Sequence, residues 1–186
     1  MSRAAKPSTI YEQFLAVPEY MVAEIVRGKL VTHPRPAAPH AMAASALGAE
    51  LFGPFRRGRG GPGGWVLLDE PELHLGENYL VPDLAGWRRE RMPEVPDVAF
   101  FDLASDWICE VLSPSTAAMD RAEKLPIYAE HSVRHAWIVD PLAKLLVVFR
   151  LEARKWTLVA AYRDAALVRA EPFDAIEFEL AALWER

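Results

Sequence analysis

The stretch DWICEVLSPST, residues 106–116, decides the fold. From residue 107 to 112 it is an apolar run of strand length, interrupted only by Glu110. Ser113-Pro114 then marks the exit from the strand, and Thr116 can cap a helix that we predict over residues 116–130. The stretch therefore predicts a buried strand that leads directly into a helix.

Outward from this stretch, the pattern predicts further strands and helices. We expect Arg27-Gly28 to form a hairpin turn, Gly53-Pro54 to end a helix, and Pro126 either to kink the helix that contains it or to divide it into two segments. The predicted strands are residues 21–26, 29–32, 65–68, 79–84, 107–112, 136–139, 145–150 and 156–161. The predicted helices are a short one capped by Ser8 or Thr9 and ending near Leu15, then 40–52, 116–130 and a short one in 176–184. Strands mixed with helices indicate an α/β (α+β) fold with a central mixed β-sheet flanked by helices.

Length and composition limit the kind of protein this is. The 186 residues fit one domain, residues 1–186, and Cys109 is the only cysteine, which suits a reducing, cytoplasmic location. We expect no export signal and no membrane segment, since no apolar run approaches the roughly 18 residues that a membrane helix needs. A net charge of −5 argues against coating nucleic acid by electrostatics alone. It does not exclude an enzyme that binds a phosphodiester through metal ions.

Two carboxylates occupy unusual positions. Asp83 follows a proline near the end of the predicted strand 79–84, and Glu110 lies in the middle of another strand. Burying a carboxylate without a partner costs several kcal/mol, so a basic partner, a raised pKa or a cation must compensate. For either residue alone, a salt bridge or a solvated strand end is a sufficient explanation. Together on neighbouring strands they predict an oxygen-ligand site for Mg²⁺ or Mn²⁺.

Three polar residues follow on the next predicted helix. Asp120, Lys124 and Tyr128 are spaced four residues apart, which places them on one helix face. They can form a simple Asp–Lys pair on a solvated face. Alternatively, Lys124 points into the carboxylate pocket.

Several of these stretches resemble one known family. Val81-Pro82-Asp83-Leu84, the run from Glu110 to Thr116, the Asp120, Lys124 and Tyr128 spacing, and Trp137-Ile138-Val139-Asp140-Pro141 are similar to the signature of the bacterial Uma-type family. That family comprises restriction-endonuclease-like proteins within the PD-(D/E)XK nuclease-like superfamily. The resemblance covers most of the chain and implies a restriction-endonuclease-like core.

The resemblance also implies roles for individual residues. Asp83 would be the acid of the Pro-Asp motif and Glu110 the second acid, and both would hold the metal with the backbone carbonyl of Val111. The superfamily's usual lysine would stand at Leu112, so Lys124 is the natural substitute. Asp120 and Tyr128 would support the site. Glu24 and His40 match polar positions of the family and could line the pocket, although a histidine at a helix start is more often a cap or a surface residue.

The predicted function is therefore that of a metal-dependent DNA endonuclease that hydrolyses phosphodiester bonds with Mg²⁺ or Mn²⁺. Three alternatives stay open: a nucleic-acid-binding or regulatory module without turnover, a hydrolase of another phosphoester, and a structural protein in which Asp83 pairs with an arginine. A homodimer is compatible with the resemblance, because nucleases of this superfamily often pair.

Overall fold

A computed structural model describes residues 8–114 and 116–185. The elements in chain order are α1 (Ile10–Leu15), β1 (Met21–Val26), β2 (Lys29–Pro34), α2 (Ala38–Leu51), β3 (Trp65–Asp69), β4 (Leu73–Leu75), β5 (Asn78–Leu80), β6 (Leu84–Arg88), β7 (Trp107–Val111), α3 (Ala117–Met119), α4 (Leu125–Glu130), β8 (His135–Asp140), β9 (Leu145–Glu152), β10 (Lys155–Arg163), β11 (Leu167–Val168) and β12 (Phe178–Glu179). Two π-helical segments extend helices: Phe52–Arg56 follows α2, and Asp120–Lys124 joins α3 to α4. A 3₁₀ turn covers Leu180–Leu183.

The centre of the fold is a six-stranded mixed sheet with the strand order β10-β9-β8-β7-β6-β3. Only β7 and β8 in this sheet are parallel, and the chain joins them through α3 and α4. All the other neighbours are antiparallel. The predicted central mixed sheet flanked by helices is confirmed.

The two faces of this sheet are buried against different elements. Along β7, Trp107, Cys109 and Val111 pack in one apolar cluster, together with α2 and the C-terminal residues. Ile108 packs in a second cluster on the other face, together with α4. Because side chains alternate along a strand, Glu110 shares the α4 face with Ile108.

A smaller sheet, ordered β2-β1-β5-β4, carries the predicted hairpin. Arg27 and Gly28 both have positive φ angles, 50° and 74°, as a two-residue hairpin turn with the right twist requires. The turn sets the register, in which Glu24 pairs with Val31 and Val22 with His33. Glu24 and His33 are therefore diagonal neighbours on one face.

Two predicted boundaries were wrong. Residues 79–84 do not form one strand: β5 ends at Leu80 in the small sheet and β6 begins at Leu84 in the large one. Pro82 lies between them, and proline cannot donate to a strand ladder. Gly53-Pro54 does not end α2, because the π-helical segment Phe52–Arg56 continues it. Phe55 in that segment is buried, with its ring centroid 4.7 Å from that of Phe173, and this packing favours the extra turn.

The remaining differences are local. The helix predicted over residues 116–130 is divided before Pro126, as its missing N–H suggested, but by a π-helical turn rather than a simple kink. The tail predicted as a helix over residues 176–184 is a short strand, β12, followed by the 3₁₀ turn. Strands β4 and β11 were not predicted, and β6 was predicted only at its first residue, Leu84. In the described part of the chain, no helix has the length and apolar character to span a bilayer.

Candidate active site

Asp83 lies in the connection between β5 and β6, where it is fastened to the end of β7. Its Oδ2 accepts a hydrogen bond of 2.6 Å from the backbone N–H of Val111. Its Oδ1 is 3.1 Å from Nε2 of His40, which belongs to the first turn of α2. The carboxylate is therefore held by the residue that directly follows Glu110.

Glu110 is a carboxylate buried in the central sheet. Its Oε1 accepts a hydrogen bond of 2.6 Å from the hydroxyl of Tyr128 and lies 2.9 Å from Nζ of Lys124. Burial raises the pKa of Glu110 well above its usual value, and Asp120, Asp83 and Glu24 add to the rise, while Lys124 opposes it. The hydroxyl of Tyr128 and the amine of Lys124 thus meet at the same oxygen of Glu110.

Lys124 connects the acidic groups of the pocket. Its Nζ lies 2.9 Å from Oε1 of Glu24, 2.9 Å from Oε1 of Glu110 and 3.7 Å from Oδ1 of Asp120. Burial opposes the charged form of Lys124, but Glu110 and Glu24 outweigh it and hold its pKa well above the usual value. The structure thus places the lysine inside the carboxylate pocket rather than on a solvated face.

The helix geometry between α3 and α4 brings Lys124 to the pocket and the buried Tyr128 to Glu110. The π-helical segment Asp120–Lys124 ends with the N–H of Leu125 bonded to the carbonyl of Asp120. Isolated π-helical turns of this kind are rare in proteins, and those that occur are often at functional sites. Here the turn leaves both Asp120 and Lys124 buried.

Glu24, on β1, is buried behind the wall of the pocket, where it contacts Lys124. Its Oε1 accepts a hydrogen bond of 2.7 Å from the backbone N–H of Val81, and its Oε2 is 3.6 Å from Nε2 of His33. Burial raises the pKa of Glu24, but Lys124, His33 and the Val81 N–H together outweigh burial and lower that pKa to about 2. Glu24 is therefore ionised throughout the neutral range.

The pocket carries more acid than base. It is a cavity of about 320 Å³, and its walls include Asp83, Glu110, Asp120 and Lys124. Three carboxylates, those of Glu24, Glu110 and Asp120, lie within 4 Å of the buried amine of Lys124, and Asp83 lines the same cavity. Burial raises the pKa of Asp120, which is the expected response of an acid in such a cluster.

The imidazoles of His33 and His40 also line the pocket. The hydrogen bond with Glu24 raises the pKa of His33. Burial lowers the pKa of His40, but the interaction with Asp83 outweighs burial, so that this pKa is also raised. Positive charge on the two rings would offset part of the acidic excess.

The donor set fits a hard divalent ion that keeps part of its water shell. Across residues 8–114 and 116–185, no three His, Cys, Asp or Glu side chains are grouped as a ready-made cage for an ion. Mg²⁺ does not need one, because it is commonly bound by one or two carboxylates, waters and substrate phosphates. Asp83, Glu110 and the backbone of Val111 line one cavity and could supply such a partial set.

Comparison with known proteins shows the family of the chain. A family model described as "Uma2: Putative restriction endonuclease" matches residues 11–182. The chain belongs to the Uma2 family. No curated protein matches this Uma2 chain.

A solved structure shares the fold of this Uma2 protein. It is the crystal structure of "a putative nuclease belonging to DUF820" from Anabaena variabilis ATCC 29413. The match covers 96% of this chain and 98% of that chain, with a TM-score of 0.72 and 22% sequence identity. At this identity the likeness concerns the fold.

The surroundings of Leu112 in this Uma2 protein do not suit the lysine that is usual at this position. Leu112 is buried and packs in the apolar cluster that contains Leu125 and Ile127, and its N–H donates a hydrogen bond of 2.7 Å to the carbonyl of Val139. A lysine there would lie in the apolar core. Lys124 brings its amine to Glu110 from the neighbouring helix instead.

Sequence reasoning missed three ionisable residues that line the pocket of this Uma2 protein, namely His33, Arg35 and Glu70. His33 could have been found from the hairpin register, which makes it a diagonal neighbour of Glu24. Arg35 and Glu70 also line the pocket, and Nη1 of Arg35 is 2.9 Å from Oε2 of Glu70. No local pattern marks that pair, because the two residues meet only through the fold.

Proposed function

We propose that this protein is a divalent-metal-dependent DNA endonuclease that hydrolyses phosphodiester bonds. The family's description as restriction endonucleases supports the reaction class. The observation that carries the proposal is the convergence of Asp83, Glu110 and Lys124 in one cavity.

Asp83, Glu110 and the Val111 carbonyl would hold Mg²⁺ or Mn²⁺. The acidic excess around Lys124 favours a divalent cation, because the buried lysine alone does not balance the carboxylates. When bound, the ion would supply Lewis acidity, which lowers the pKa of a water and stabilises negative charge on the phosphate.

The protein's own residues hold the acids in place for this task. The Val111 N–H and His40 fix the two oxygens of Asp83, and Tyr128 and Lys124 both fix Oε1 of Glu110. Groups fixed before the substrate arrives need no rearrangement during the reaction. Lys124, kept charged by its carboxylate neighbours, adds positive charge beside Glu110.

Two of the alternatives lose support. A binding module without turnover was suggested by Leu112 at the usual lysine position, but Lys124 provides an amine 2.9 Å from the same acid. A purely structural role required Asp83 to pair with an arginine. The side-chain carboxylate contacts the Val111 N–H and His40 instead. Hydrolysis of a phosphoester other than DNA is the remaining competitor.

Plasmid nicking tests the proposal. Purified wild type should nick supercoiled plasmid with Mg²⁺ or Mn²⁺ and not with EDTA. Asp83→Ala and Glu110→Ala should abolish nicking, while the exposed-acid control Glu77→Ala should retain it. Equal nicking by all the variants would identify a contaminant and remove the proposal. Turnover of a small chromogenic phosphodiester without DNA cleavage would favour the competitor.

A further inference from the structure

The acidic pocket needs an accessible cation to receive a phosphate, and Lys124 is not one. Its amine has three N–H groups, and the carboxylates of Glu24 and Glu110 lie 2.9 Å away, with the carbonyl of Val81 at 3.5 Å. Its side chain is only 3% exposed. Turning Lys124 towards a phosphate would leave two buried carboxylates without their partner, which is strongly unfavourable.

Arg35 is the other permanently charged cation among the residues that line the pocket. It lies between Pro34 and Pro36 in the connection from β2 to α2. The two prolines restrict the backbone on both sides of it, so the loop presents Arg35 from a stiff position. Its side chain is 57% exposed, and a guanidinium can bind a phosphate through two parallel hydrogen bonds.

Glu70 holds this guanidinium at the pocket. Nη1 of Arg35 donates a hydrogen bond of 2.9 Å to Oε2 of Glu70. The backbone N–H of Glu70 donates a 3.0 Å hydrogen bond to the carbonyl of Asp83, which ties Glu70 to the acid of the site. Glu70 has a φ of 44°, a conformation that is uncommon for residues other than glycine. The fold therefore positions an anion opposite Arg35, next to Asp83.

We propose that Arg35 binds a backbone phosphate of DNA at the mouth of the pocket, and that Glu70 occupies the guanidinium until the phosphate displaces it. The inference rests on the proposed nuclease function and adds the residue that receives the substrate. The exchange replaces one singly charged anion with another, and an exposed ion pair of this kind is weak. Displacing Glu70 therefore costs little.

The test measures DNA binding without catalysis. Fluorescence anisotropy of a labelled DNA duplex, with Ca²⁺ in place of Mg²⁺ so that the acidic pocket keeps a divalent ion, compares wild type with Arg35→Gln, Glu70→Gln and the double variant. Arg27→Gln is the matched control, because Arg27 is also exposed, is paired with Glu130 and does not line the pocket. It removes the same charge as Arg35→Gln.

Arg35→Gln should weaken binding roughly tenfold and lower the slope of log affinity against log salt by about one. Arg27→Gln should change neither. Glu70→Gln should tighten binding about threefold by releasing Arg35, and this gain should vanish in the double variant.

Equal affinity of Arg35→Gln and Arg27→Gln would overturn the role of Arg35. A gain from Glu70→Gln that persists without Arg35 would mean that Glu70 acts only through its own charge. If Arg35→Gln does not fold, the DNA affinities of Glu70→Gln and Glu77→Gln are compared instead. Equal affinities of these two variants would overturn the inference. Plasmid nicking separates this inference from the proposed function. If wild type nicks plasmid and Arg35→Gln binds DNA as tightly as wild type, only the inference is wrong. Weakened Arg35→Gln binding without any nicking removes only the nuclease.

Discussion

Replacing Lys124 by methionine should destabilise the fold strongly, and by an amount that depends on pH. Lys124 is the main group that lowers the pKa of Glu24 from its usual 4.5 to about 2. At about 1.4 kcal/mol per pKa unit, this difference corresponds to about 3 kcal/mol of stabilisation. Glu110 and Asp120 lose the same cation, so the total loss at pH 7 should be about 3 to 5 kcal/mol.

The sign of the pH dependence follows from the lowered pKa of Glu24. Its stabilising contribution is complete above the unfolded value of 4.5 and disappears as the pH falls towards about 2. The part of the difference between wild type and Lys124→Met that comes from Glu24 should therefore fall to about half at pH 3.

Urea unfolding of both proteins at pH 7 and pH 3 measures this difference directly. Lys29→Met is the matched control, since Lys29 is exposed and should change the free energy of unfolding by no more than about 0.5 kcal/mol. A loss at pH 7 no larger than that of the control would refute the reasoning. A loss of 3 kcal/mol or more that does not shrink at pH 3 would show that Glu24 is not its source.

Three further predictions concern buried groups near the site and in the sheet. Tyr128→Phe removes the 2.6 Å hydrogen bond to Glu110 and should lower the free energy of unfolding by about 1 to 3 kcal/mol in urea titrations, and a loss below about 0.5 kcal/mol would contradict that geometry. Cys109 is buried, and burial, with Asp83 and Glu110, raises the pKa of its thiol, so iodoacetamide should leave the native protein unmodified and alkylate it in urea, as mass spectrometry can show. Gly86→Ala places a Cβ 2.8 Å from Cδ2 of Leu67, and thermal melting should show a loss of about 1 to 3 kcal/mol, whereas an unchanged melting temperature would mean that Leu67 moves aside freely.

The sequence predicted the elements whose signals are local. The Arg27-Gly28 turn and the apolar run of β7 depend on neighbouring residues, and the structure has both. The cap of α1 is also local: Thr9 accepts from the N–H of Glu12, and the Glu12 side chain accepts from the N–H of Thr9. The alternation of side chains between the two faces of the sheet then places Glu110 on the α4 face of β7.

Other features depended on contacts distant in sequence. Gly53-Pro54 usually ends a helix, but the burial of Phe55 against Phe173 favours a further turn. Pro82 separates two strands of different sheets, so Asp83 leaves the strand predicted for it. Arg35 and Glu70 lie in two different loops of the chain, and no periodicity in the sequence predicts their contact.

The position of Lys124 depends partly on a local signal and partly on contacts distant in sequence. The four-residue spacing from Asp120 to Tyr128 predicted a shared helix face, but not whether that face is solvated or buried. Tertiary packing of the π-helical turn against β1 and β7 decided it, with Nζ 2.9 Å from Glu24 and from Glu110.

Binding of Mn²⁺ to the purified protein tests the central claim most directly, by electron paramagnetic resonance and calorimetry without DNA. Asp83→Asn and Glu110→Gln should weaken the binding at least about tenfold relative to wild type, while Glu77→Gln should leave it unchanged. Equal Mn²⁺ affinity in all four proteins would contradict the assignment of Asp83 and Glu110 as the residues that hold the ion.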